Sequence, residues 1–203
     1  MLCSLINNLE KIDVILASSS PRRYELLQSI GLDFRVIPGN VDEYVSTERH
    51  PSDLALYNAE NKGELIARNH PGGLVISADT VVSLNQQIMG KPQDESAAYQ
   101  MLRALSGQTH QVITAFWLIF KRYDKRVHQY VETSVTFRDL TDDEIWAYIN
   151  TGEPFDKAGG YGIQGQGALL VKRIEGCYSN VVGFPLSRFF ITLNDFLSGL
   201  AIE

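Results

Sequence analysis

Residues 111–137 read Q-V-I-T-A-F-W-L-I-F-K-R-Y-D-K-R-V-H-Q-Y-V-E-T-S-V-T-F. The segments 111–121 and 127–137 are two β-rich runs, and the polar stretch 122–126 joins them as an antiparallel pair. Elsewhere in the chain strands and helices interleave, which favours an α/β class. Two consecutive β runs argue against a purely parallel, doubly wound sheet. The expected fold is therefore α/β on a mixed sheet.

Upstream, residues 74–84, L-V-I-S-A-D-T-V-V-S-L, give the strongest strand signal in the chain. One carboxylate, Asp79, sits between its apolar segments. An acid in that position either faces a cleft or is buried with a partner, because an unpaired buried charge is costly. Asn85-Gln86-Gln87 reads as a hairpin tip that returns through Ile88-Met89-Gly90-Lys91-Pro92 and brings Lys91 towards Asp79. A helix is expected from about residue 51 to 69, stopped by Pro71-Gly72-Gly73. Its buried side would use Leu54, Leu56, Tyr57, Leu65 and Ile66, and a solvated Lys62 is the plain expectation for that helix.

Near the N-terminus, residues 13–31 read D-V-I-L-A-S-S-S-P-R-R-Y-E-L-L-Q-S-I-G. Residues 14–17 form a short buried strand, Ser20 caps a helix, and Pro21 takes its first position. Tyr24, Leu26, Leu27 and Ile30 supply the apolar face, and Gly31 ends the helix in the left-handed conformation. Free N–H groups at the helix start, beside Arg22 and Arg23, suit an anion. The glycine spacing and closing Lys-Ser/Thr of a Walker A loop are missing. Two solvated arginines are the alternative. A second strand is expected around residues 34–37, followed by a loop holding Val41-Asp42-Glu43.

Downstream, Asp94 caps a helix over 95–105, and Thr141 with Glu144 forms a capping box. Residues 156–165, D-K-A-G-G-Y-G-I-Q-G, are an irregular loop whose four glycines mark close backbone approach. A strand is expected over 168–174 and a last helix over about 185–197. His110 follows a helix end and is expected to cap or pack, not to catalyse.

The chain has 203 residues, 44% hydrophobic and 21% charged, an ordinary globular balance. A net charge of −6 argues against a general electrostatic grip on nucleic acid, so an anionic substrate must meet a local cluster of Lys and Arg. Cys3 and Cys177 have no metal-ligand spacing. The N-terminus lacks a signal-peptide pattern, and no apolar run is long enough to span a membrane. A soluble, cytoplasmic protein is expected. Arg22, Arg23, Glu43, Lys62, Asp79 and Lys91 together offer cations for phosphate charge and carboxylates for a hard divalent metal or a water. That is the inventory of metal-assisted phosphate chemistry.

Eight blocks then add a resemblance. They are L-A-S-S-S-P-R-R-Y-E-L-L (16–27), V-D-E (41–43), N-K-G (61–63), S-A-D-T-V-V (77–82), G-K-P-Q-D (90–94), L-S-G-Q-T-H-Q-V-I-T (105–114), D-K-A-G-G-Y-G-I-Q-G (156–165) and N-V-V-G-F-P (180–185). In this order they resemble the Maf family of nucleoside triphosphate pyrophosphatases, as one Maf-like domain with residues 1–11 outside the match. The resemblance implies an elongated mixed sheet with two α/β lobes and a central cleft, like that of the inosine triphosphate pyrophosphatases. It implies hydrolysis between the α and β phosphates with a divalent metal, Mg²⁺ or Mn²⁺, and a possible homodimer as the assembly. The family's phosphate loop falls on Ser18, Ser20, Arg22 and Arg23, its helical lysine on Lys62, and its GKP lysine on Lys91. Its proton acceptor falls on Asp79, which with Glu43 would hold the metal. Thr80 and Gln164, with Arg22, fall on positions tied to substrate choice, and the I-Q-G form resembles the subgroup acting on dTTP and UTP. The alternatives are a 7-methyl-GTP or inosine triphosphate pyrophosphatase, or a nucleotide-binding regulator of septum formation without turnover. Gly63 stands where the family usually has Ala, a difference expected to cost little beyond helix propensity.

Overall fold

The long strands organise the molecule, because only a continuous apolar run can be buried on both faces. The computed structural model describes residues 6, 8–39, 41, 44 and 49–200. Its sheet contains β1 (Val14–Leu16), β2 (Arg35–Val36), β3 (Leu74–Leu84), β4 (Gln87–Met89), β5 (Thr109–Phe120), β6 (Lys125–Phe137) and β7 (Val171–Glu175). The order is β2-β1-β3-β5-β6-β7, with β4 also on β3. β2, β1 and β3 run parallel, whereas β3-β5-β6-β7 is antiparallel. The mixed sheet and the β5–β6 pair agree with expectation. Asn85 and Gln86 turn β3 into β4 with φ of +50° and +68°, as a tight two-residue hairpin requires.

Six helices cover the sheet among the described residues: α1 (Pro21–Ser29), α2 (Pro51–Asn69), α3 (Glu95–Leu105), α4 (Asp142–Ile149), α5 (Tyr178–Val182) and α6 (Leu186–Leu197). Ser20 caps α1, Asp94 caps α3, and both arms of the Thr141–Glu144 capping box form on α4. Alternation along β3 sends Val75 and Val81 into one core with α2, and Leu74, Ile76 and Ala78 into another with Phe184, Phe189 and Leu193. A third core joins Val82, Val112 and Val135 to α3 and α4. Ile6 belongs to the core that holds α6, so the residues before Ile12 contribute to packing.

Four details differ from expectation. Residues 165–170 form a 3₁₀ segment, and β7 begins only at Val171. Leu169, which a strand would bury, is 70% exposed. The five-residue α5 has no signal of its own in the sequence. On α2, Leu54 and Ile66 are buried as expected, but Tyr57 and Leu65 are exposed, and the sheet is also met by Ala55, Ala59, Gly63 and Ala67, spaced four apart. A Cβ on Gly63 would stand 2.4 Å from Ser77 Oγ and 2.9 Å from Ile119 Cδ1, so its lack of a side chain sets the distance between helix and sheet. The expectation that Gly63 matters only through helix propensity is corrected.

Candidate active site

β3 pairs with β1 at 74–76 and with β4 at 82–84. Between these neighbours, residues 77–81 have no strand on that edge among the described residues. An unpaired edge leaves backbone N–H and C=O groups open to other partners. A cleft of about 700 Å³ opens here, lined by the β1–α1 loop, α2, β3, β4 and the late loop. Ser18, Ser20, Arg22, Arg23, Lys62, Asp79, Thr80, Lys91 and Gln164 all line it. Asp42 and Glu43 lie outside the described residues.

Asp79 points from β3 towards α2. Its Oδ1 accepts a hydrogen bond from Lys62 Nζ at 2.7 Å, and its Oδ2 accepts from Asn58 Nδ2 at 3.4 Å. Asp79 is 5% exposed and Lys62 9%. Lys62 is thus a buried partner of the strand carboxylate, and the solvated reading is overturned. Leu54, Asn58, Lys62 and Ile66 form a row along α2 at a spacing of four, beside the small-residue row on the sheet. Asn58 is held in turn, accepting from the Tyr44 N–H (3.0 Å) and donating to the Tyr44 carbonyl (3.1 Å). The sequence reading missed Asn58, although its position four residues before Lys62 placed it on the same helix face.

Thr80, one residue on, points to the opposite face, towards Arg23. Arg23 is buried and donates from Nε to the Gly183 carbonyl (3.0 Å), from Nη1 to Ser18 Oγ (3.2 Å) and from Nη2 to Thr80 Oγ1 (3.0 Å). Ser18 Oγ also accepts the Ser20 N–H at 3.2 Å, and Ser20 caps α1 through the Arg23 N–H. The serines therefore shape the loop that presents α1's N-terminus. Arg22 reaches across the cleft to Asp156, Nη1 to Oδ2 at 3.0 Å. Burial pushes the Asp156 carboxyl up, but hydrogen bonds from Lys157 and Arg22, with their charges, outweigh it and hold it below the usual carboxylate range.

The late loop closes the other wall. A Cβ at Gly159, where φ is +71°, would lie 2.9 Å from Val82 Cγ1, and the Gly159 N–H donates to the Gly90 carbonyl at 3.0 Å. That bond ties the loop to the segment carrying Lys91. Gln164 is exposed on the cleft, and its side chain does not cap the 3₁₀ segment it precedes. Glu153, Asp156 and Lys157 also line the cleft, which the sequence reading did not propose.

His110 lies beneath this wall, as a packing residue. It is 1% exposed, its Nε2 is 2.7 Å from the Tyr161 hydroxyl, and its ring meets Phe137 and Tyr161 edge to face. Burial pushes its pKa down to about 4. The unfolded chain binds a proton near pH 6.5 and the folded chain only near pH 4, so stability falls as pH drops through that window. By pH 5 the loss from this residue amounts to about 2 kcal/mol. Urea titrations at pH 7 and pH 5 should find His110→Gln losing less stability than the unsubstituted protein, and equal losses would remove His110 from the acid sensitivity.

Asp79 keeps lone pairs beyond those meeting Lys62 and Asn58. A Mg²⁺ ion needs only one or two carboxylates when phosphates and waters complete its shell, so this donor set fits a cation that arrives with a polyphosphate. Among the described residues no three His, Cys, Asp or Glu side chains converge on a point.

Cations from a helix N-terminus, a second helix and the segment after a hairpin thus share one cleft with a buried carboxylate on an α/β sheet. The sequence model of the Maf family, described as Maf-like protein, matches residues 13–196, and the chain belongs to that family. Relatives named dTTP/UTP pyrophosphatase include that of Bacillus cereus, 46% identical over 90% of this chain and 95% of its own length. Those of Geotalea uraniireducens and Carboxydothermus hydrogenoformans are each 49% identical, over 87% and 90% of this chain and 91% and 97% of their own. Among solved structures, the Staphylococcus aureus Ham1 protein matches with a TM-score of 0.44 and 17% identity, over 63% of this chain and 72% of that one. The fold described above rests on strand order and not on that likeness.

Proposed function

We propose that this protein hydrolyses dTTP and UTP, and modified pyrimidine nucleotides of the same shape, to the monophosphate and pyrophosphate. The observation that carries this reading is the meeting of Asp79 with Arg22, Arg23, Lys62 and Lys91 on one cleft, in a chain 46–49% identical to relatives bearing that name. In the reaction a water oxygen bonds to the α-phosphorus, the α–β bridging bond breaks, and pyrophosphate leaves with the bridging oxygen. Asp79 takes the water's proton. Its Oδ2 is the better placed oxygen, since Oδ1 is held at 2.7 Å by Lys62 and Asn58 reaches Oδ2 only at 3.4 Å. Arg22, Arg23, Lys62 and Lys91 oppose the charge that builds on the phosphates, and Ser18 and Ser20 hold the loop that positions them. A triphosphate competes with Asp156 for Arg22, so binding exchanges an internal ion pair for one with substrate. Asp79, with Glu43, would hold the divalent cation, Mg²⁺ or Mn²⁺, which supplies charge neutralisation on the phosphate oxygens when bound. A cytoplasmic setting and a homodimer belong to the same proposal.

Gln164 offers a donor and an acceptor, the pair that the edge of a uracil or thymine ring requires. Pyrophosphate release from a panel of nucleoside triphosphates with Mg²⁺ or Mn²⁺ tests the reading, with dTTP and UTP expected to lead. Gln164→Ala should shift the ratio of pyrimidine to purine turnover. Preference for 7-methyl-GTP or inosine triphosphate would keep the mechanism and overturn the substrate assignment. Binding without any turnover would favour a regulator.

A further inference from the structure

Arg23 and Thr80 face the cleft, but what fixes them lies behind it. Thr80 and Thr114 are directly paired between β3 and β5, with their Oγ1 atoms 2.9 Å apart. Either hydroxyl alone could donate. The two ends of the chain of contacts remove that freedom. At one end, Arg23 Nη2 stands 3.0 Å from Thr80 Oγ1, and a guanidinium can only donate. At the other, Thr114 Oγ1 stands 3.0 Å from the Asn180 carbonyl oxygen, which can only accept. Thr114 has one proton and spends it on Asn180, so the Thr80 proton must go to Thr114. The order is fixed: Arg23 to Thr80 to Thr114 to the Asn180 carbonyl.

The terminal acceptor is itself anchored. The Asn180 carboxamide donates to the Val112 carbonyl and to Thr133 Oγ1, each at 2.9 Å, which ties α5 to β5 and β6. One residue past the end of α5, the Gly183 carbonyl receives Arg23 Nε. Thr114 and Asn180 are 0% exposed, and neither lines the cleft.

We propose that Thr114 is a positioning residue for the reaction: it holds the Thr80 hydroxyl as an acceptor, so that Thr80 in turn fixes the Arg23 guanidinium against the phosphates. Thr80 therefore meets the nucleotide with a lone pair and no proton to give. The inference rests on the reading of the cleft as a triphosphate site. It deepens that reading by assigning a role to a residue that never touches substrate.

Thr114→Val keeps the shape and deletes the hydroxyl, which frees the Thr80 proton to turn away and loosens Arg23. The expected loss in kcat/KM for dTTP and UTP is on the order of 10- to 100-fold, mainly in kcat, as for a misplaced transition-state contact. Thr114→Ser keeps the relay and should stay near the unsubstituted rate. Because Thr114 acts through Thr80, adding Thr114→Val to Thr80→Val should change little further. Thr114→Ala provides the same reading should the valine variant not fold. A purely structural Thr114 would lower the melting temperature and leave kcat and KM unchanged, which overturns the proposal. An equal loss in Thr114→Ser, or additive losses in the double variant, also overturns it. Calorimetric Kd values for dTTP run beside the kinetics separate the two readings. If the unsubstituted protein binds dTTP without hydrolysing it, the pyrophosphatase reading fails. The Kd ratio between Thr114→Val and Thr114→Ser then decides Thr114, with weakened binding confined to valine supporting it and equal Kd values overturning it.

Discussion

Asp79→Asn is expected to lower kcat for dTTP by on the order of 10³-fold, the combined loss of a proton acceptor and a preorganised charge. The amide keeps the size of the carboxyl, and its oxygen can still accept from Lys62 Nζ where Oδ1 stood at 2.7 Å. Its NH₂ would then face Asn58 Nδ2, which is committed to the Tyr44 carbonyl and cannot flip without losing both Tyr44 bonds. The substitution also removes the carboxylate charge that the buried Lys62 ammonium meets at 2.7 Å. Some loss of stability therefore accompanies the loss of rate, and the two must be measured together. Circular dichroism should find a folded protein at 25 °C with a lowered melting temperature. The assay at that temperature reports chemistry alone. Turnover within tenfold of the unsubstituted protein would remove Asp79 as the proton acceptor.

Much of this site was legible because its residues sit at element boundaries with strong local signals. β3 spans the expected 74–84, and its lone acid proved to be paired and to face the cleft. The turn from β1 into α1 followed from one N-cap and one proline. What escaped was decided by contacts distant in sequence. Of the large apolar residues expected on the buried side of α2, Leu54 and Ile66 are buried and Leu56 packs on the same core, but Tyr57 and Leu65 are exposed, and four small residues let the helix settle on the sheet. The run Ala168-Leu169-Leu170-Val171 has a strand's composition. Gly167, however, fits so closely over the Gly162 carbonyl that a Cβ would lie 2.1 Å from it, and a 3₁₀ path results. Thr114 and Asn180 lie 66 residues apart and have no shared local pattern. Their partnership exists only once α5 docks on β5 and β6, and tertiary contact of that kind overrides propensity.

Lys62→Met should be the most destabilising of the cleft substitutions. A pair of opposite charges buried this deeply stands on a balance between desolvation and attraction, and removing one partner leaves the other uncompensated. Here the orphan is Asp79, 5% exposed, which among the described residues keeps a 3.4 Å amide contact from Asn58 once the lysine is lost. The expected cost is about 3–5 kcal/mol. A domain of this kind has about 5–15 kcal/mol in all. The double variant Asp79→Asn, Lys62→Met removes both charges, and the buried-pair argument then predicts that much of the stability returns. On the proposed mechanism activity does not return, because the proton acceptor and one of the cations assigned to the phosphates are both gone. Urea titration of the two single variants and the double variant measures the coupling directly. A double variant no more stable than Lys62→Met would mean that Lys62 stabilises the fold through its stem on the α2 row and not through Asp79. Recovered stability without recovered turnover would separate the two roles of the ion pair, leaving its chemistry as the reason two charges stand buried at the unpaired edge of β3.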